Sequence, residues 1–135
     1  MKSQEKIIPG APLLLRADAE SSPWNEKELL ERVDGDRELL CDLLRMFRED
    51  APAGLAKANS KLTEGDMTEL SRAAHGLKGM FKNLSMNRAA EAAYVLEEAA
   101  REERREKVAE SYQQLALALR EVLPMVEAKL AEAQA

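Results

Sequence analysis

His75 is the only histidine in this chain of 135 residues, and it lies in the stretch Ala73-Ala74-His75-Gly76-Leu77-Lys78-Gly79. At pH 7 a free imidazole is mostly uncharged, which leaves one ring nitrogen with a lone pair able to accept a phosphoryl group. On a helix Lys78 stands one turn beyond His75 and Lys82 two turns beyond it. Both would offset the negative charge of such a group. Gly79, also about one turn on, leaves no side chain over the imidazole, so another protein could approach closely. An exposed helical histidine is commonly no more than a surface residue, and lysines at this spacing are commonly a solvated face. Spacing alone leaves both readings open.

Other chemistries lack their residues. One histidine excludes zinc sites built on several histidines and the HExxH pattern. Arg72 stands where the Glu-x-x-His pair of di-iron bundles needs a carboxylate. No nucleophile elbow and no GxxxxGK phosphate loop is present. The net charge of −5 argues against nonspecific nucleic-acid binding. An independent enzyme is not expected, nor is a bound metal or cofactor.

The element that must hold these residues is a helix. At about 100° per residue, Leu70, Ala73, Ala74, Leu77, Phe81 and Leu84 cluster about a direction near 200° from His75. Thr68, Ser71, Arg72, Lys78, Gly79 and Lys82 fall within about 60° of the histidine itself. The apolar stripe needs a core, so the histidine should face water. Asp66 followed by Glu69 marks the start of this helix, which should end near Asn83 to Ser85.

The rest of the chain supplies the core. Hydrophobic residues make up 45%, charged residues 33% and aromatics only 4%, a balance that favours helix over sheet in one globular domain. Asn25 with Glu28 opens a short helix that stops at Asp34-Gly35, with Trp24 packing where it meets the bundle. Asp36 opens a long one, kinked at Pro52 and closed by Gly65. Ser85 is expected to cap a fourth helix carrying Met86, Ala89, Ala90, Ala93, Leu96 and Ala100. The run from Glu97 to Lys107 reads as a solvated helix end and turn. A last helix follows at Val108, Tyr112, Leu115, Leu119, Val122, Val126 and Leu130, kinked at Pro124. These elements predict an all-α protein: an antiparallel four-helix bundle over residues 24–132 with a short additional N-terminal helix.

Residues 1–23 carry three of the five prolines and read as a flexible tail or linker, whose leucines could dock on the domain. Lys2 and Lys6 before an apolar run faintly imitate a signal peptide, but Glu5, Pro9, Gly10 and Pro12 spoil it. No run is long enough to span a bilayer. Cys41 cannot form an internal disulfide and reads as a small buried hydrophobe, compatible with a cytoplasmic location.

The residues Ala74-His75-Gly76-Leu77-Lys78-Gly79 resemble the AHxLKG motif of histidine phosphotransfer (HPt) domains. Residues 29–40, Leu-Leu-Glu-Arg-Val-Asp-Gly-Asp-Arg-Glu-Leu-Leu, and the Gly65-Asp66 step resemble the entry to that fold. The similarity spans residues 24–130, in pattern only for the last helix. It implies that His75 is the phosphoacceptor of a phosphorelay, that Lys78 stabilises the phosphoryl group and that Gly79 permits docking; Lys82, Arg72 and Ser71, on the same helical face, are read as further docking residues. The implied partner is a response-regulator receiver domain, which brings the aspartate and Mg²⁺; a hybrid histidine kinase is a second implied partner. Ser85 stands where the family usually has glycine, and Met80, Phe81 and Lys82 where small residues are common. Met80 and Phe81 lie toward the core, where Ala89, Ala90, Ala92 and Ala93 would make room. Kinase dimerisation domains fit less well, because Gly76 stands where they carry an acidic residue. Two alternatives stay open: a bundle that binds a receiver or kinase without accepting phosphate, and a domain of a hybrid sensor kinase with residues 1–23 as its linker.

Overall fold

A computed structural model describes residues 23–134. They form five helices and, among the described residues, no strand: α1 (Glu26–Arg32), α2 (Arg37–Glu64), α3 (Met67–Asn83), α4 (Asn87–Arg101) and α5 (Arg105–Gln134). The expected tail, with its leucines, lies outside the described residues except for Pro23. Short links make sequence neighbours from α2 to α5 antiparallel. α5 returns to pack on α2, closing a four-helix ring that α1 borders through α2. No helix among the described residues is long and apolar enough to cross a membrane.

Local chemistry sets the helix boundaries. Asn25, Asp36 and Asp66 each accept a hydrogen bond from a backbone N–H three residues on, at 3.0, 3.0 and 3.1 Å. Each satisfies one donor that the first turn leaves unpaired. Gly65 ends α2 at φ 75°, a left-handed conformation that costs glycine little. Pro52 and Pro124 lie on exposed positions inside unbroken helices, where the missing N–H bond costs least.

Ser85 is not the cap of α4. Met86 holds that position without a side-chain hydrogen bond. The physical reason is how α3 ends: Ser85 N–H bonds to Lys82 O at 3.1 Å and Met86 N–H to Phe81 O at 2.9 Å. This Schellman pattern places Ser85 in the left-handed position, at φ 60°, and buries Met86 and Phe81 together at its closure. The Ser85 hydroxyl is left buried without a partner.

α3 runs between α2 and α4 and buries Leu70, Ala74, Leu77 and Phe81. Phe81 is fully buried and meets Phe47 of α2 edge-on at 5.8 Å and 63°. Ala89, Ala90, Ala92 and Ala93 are buried on α4, and their small side chains permit the close approach of α4 to α3. Trp24 is buried and donates its indole N–H to Leu84 O at 2.9 Å. Arg32 donates to the carbonyls of Lys82 and Asn83, completing the C-terminal end of the histidine helix. Cys41 is buried among the core residues.

Candidate functional site

The stripe that buries Ala74 and Leu77 leaves His75 on the open side of α3, with its side chain 67% exposed. The imidazole is nonetheless held. Its Nδ1 lies 2.9 Å from Oε2 of Glu97 on α4. That carboxylate is only 5% exposed and also receives Lys78 Nζ on Oε1 at 2.9 Å and Arg101 Nη2 on Oε2 at 3.0 Å. Lys78 meets Oε1 as an ion pair, without good hydrogen-bond alignment. Three basic side chains from two helices therefore converge on one buried acid.

Burial opposes ionisation of Glu97, but Lys78 and the His75 hydrogen bond outweigh it and hold the carboxyl below its ordinary value. The acid is thus charged at neutral pH and accepts only. The proton of a neutral His75 must then sit on Nδ1, which leaves the lone pair on Nε2. Nε2 takes no part in the Glu97 contact, on a side chain that is 67% exposed.

Lys78 is held from two sides, by Glu97 and by the ring of Tyr94, whose centroid is 5.2 Å from Nζ. Only 22% of its side chain is exposed. A Cβ added at Gly76 or Gly79 would meet no atom within 4 Å, so the helix surface beside the imidazole is open. Ser71 is half-buried and donates to Glu97 O at 3.4 Å, tying α3 to α4. Arg72 is exposed and pairs with Glu69 at 3.0 Å. Lys82 is exposed two turns from His75, with no ion pair among the described residues. The fold thus brings His75 and Lys78 onto one carboxylate, while Arg72, Gly79 and Lys82 line the open face around them. Among the described residues, no group of three or more His, Cys, Asp or Glu is placed to hold a metal ion.

Glu97 was not legible as a site residue, and the reading of it as solvated is overturned by its burial. The charged run does begin there, but Glu97 belongs to the face that buries Ala93 and Ala100. A signal was available: on a helical wheel it lies about 40° from Ala93 and 60° from Ala100, inside the apolar stripe. A carboxylate at such a position requires a partner. Nothing local identifies that partner, because His75 lies on another helix.

A family model described as the Hpt domain matches residues 42–129, more than half of the chain. Comparisons with curated proteins and with solved structures find no match.

Proposed function

Because this chain belongs to the Hpt domain family, we propose that it is a phosphorelay intermediate whose phosphoacceptor is Nε2 of His75. Hpt domains serve histidine phosphotransfer in phosphorelays, with receiver domains and kinases as partners. The observation that carries the assignment to His75 is its hydrogen bond to the buried Glu97 carboxylate, which holds the proton on Nδ1 and leaves the Nε2 lone pair uncommitted.

In the proposed step, Nε2 attacks the phosphorus of an aspartyl phosphate on a receiver domain. The N–P bond forms as the P–O bond breaks, and the electron pair of that bond leaves with the receiver's carboxylate. The Nδ1 proton stays on the ring, whose developing positive charge faces Glu97. Lys78 keeps Glu97 ionised and adds positive charge near the phosphoryl group. Gly79 and the exposed Arg72 and Lys82 admit the partner, and Ser71 fixes α4 against α3. The aspartate and Mg²⁺ come from the receiver, so the bundle acts as a carrier. Reversal of the same step passes the phosphoryl group on.

The test is transfer from a phosphorylated receiver domain. The chain should acquire acid-labile, alkali-stable phosphate. Equal labelling of a His75→Gln variant would falsify the assignment.

A further inference from the structure

We infer that Arg101 is a second phosphoryl-binding cation, which turns from Glu97 to the phosphoryl group once His75 carries it. The inference rests on the reading of His75 as phosphoacceptor.

Arg101 and His75 share one oxygen. Nη2 of Arg101 and Nδ1 of His75 both contact Oε2 of Glu97, at 3.0 and 2.9 Å. The guanidinium nitrogen is therefore no further from the imidazole than those two contacts laid end to end, about 6 Å, a distance at which charges interact appreciably. The two cations on Glu97 differ in freedom. Lys78 is 22% exposed and fixed between the carboxylate and the Tyr94 ring, whereas Arg101 is 58% exposed at the last residue of α4. Its Nη1 holds Glu98, so the guanidinium can keep that anchor while Nη2 turns.

Release of Arg101 leaves Glu97 paired, because the Lys78 ion pair stays on Oε1 and the His75 N–H on Oε2. A phosphoryl group carries more negative charge than a carboxylate and offers three acceptor oxygens, so it is the stronger partner for a guanidinium. It would also stand beside the Glu97 carboxylate, across the same imidazole ring. Arg101 is placed to reach both and to relieve their repulsion. Arg72, the other arginine on this rim, is bound to Glu69 on its own helix.

The experiment uses the full chain phosphorylated on His75 with phosphoramidate, and follows the phosphohistidine ³¹P resonance as a function of pH. A cation touching the phosphoryl group favours its more charged form. Arg101→Ala should raise the phosphoryl titration midpoint by about 0.7 unit, a roughly fivefold change in the ionisation constant. Arg101→Lys should recover part of that shift. If Arg101 touches the phosphoryl group directly, most of the effect should persist in a Glu97→Gln background. In the wild type, the Arg101 guanidinium ¹⁵N–¹H signal should move on phosphorylation. A midpoint unchanged by Arg101→Ala, or an effect that vanishes in the Glu97→Gln background, would overturn the inference and leave His75 as phosphoacceptor. Equal phosphoramidate labelling of His75→Gln would instead overturn the phosphoacceptor reading.

Discussion

Replacing Glu97 by Gln keeps the shape of the side chain and removes the charge on which three basic groups converge. The wild-type carboxylate is 5% exposed and takes contacts of 2.9, 2.9 and 3.0 Å from His75, Lys78 and Arg101. An amide has one accepting oxygen and one donating nitrogen, so at least one of those donors must face an N–H. A hydrogen bond to a charged group contributes about 1.5–3 kcal/mol, partly offset here because an amide is easier to bury than a carboxylate. The expected loss of stability is about 2 kcal/mol, a fall of roughly 8 °C in the unfolding midpoint. The chemistry should suffer as well. With the amide oxygen turned to Lys78, its nitrogen donates to Nδ1, the ring proton moves to Nε2, and the nucleophilic lone pair is lost. An exposed ring can turn away and recover, so the expected slowing is about tenfold, equivalent to about 1.4 kcal/mol in the barrier. The pH dependence has a definite sign. Glu97 is held below the ordinary carboxyl value of 4.5, so its stabilising contribution is complete above 4.5 and disappears as pH falls through the lowered folded value. The stability gap between wild type and Glu97→Gln should therefore narrow in acid. Urea unfolding at pH 7 and over the acid range, with single-turnover transfer from a phosphorylated receiver, measures all three effects. Wild-type transfer with an unchanged midpoint, or a gap that widens in acid, would refute the role assigned to the carboxylate.

Substitutions at three other positions separate chemistry from folding. Lys78→Ala removes one partner of Glu97 but leaves Arg101 and His75 on it, so transfer should slow severalfold while stability falls by about 1 kcal/mol; an unchanged rate would remove Lys78 from the site. Gly79→Ala meets no neighbour and should stabilise the helix by up to about 1 kcal/mol, whereas Gly79→Phe should slow transfer from a receiver without unfolding the chain. Receiver transfer to Gly79→Phe at the wild-type rate would exclude docking over that surface. Ser85→Gly relieves a left-handed serine with a buried, unpartnered hydroxyl, and after the greater chain entropy of glycine should gain about 1 kcal/mol; a lower unfolding midpoint would contradict the assigned strain.

The sequence by itself determined the helices and the face that carries His75. Caps at Asn25, Asp36 and Asp66 act within a few residues, and the stripe of Leu70, Ala74, Leu77 and Phe81 follows from one helical period, so His75 could be placed toward water without any other helix. The short motif around it was specific enough to indicate the family that residues 42–129 match. Ser85 was misread because serine at a helix boundary fits either side of it; the bonds closing α3 place it after one helix and not at the head of the next. Only the tertiary structure decided what the imidazole rests on. Glu97 lies 22 residues beyond His75 on a neighbouring helix, at the edge of a charged run that looks solvated in one dimension. Its burial, its ionisation and its hold on His75, Lys78 and Arg101 exist because α4 packs on α3 through small alanines. Helical periodicity is a property of one helix, whereas a buried ion cluster depends on the register between two.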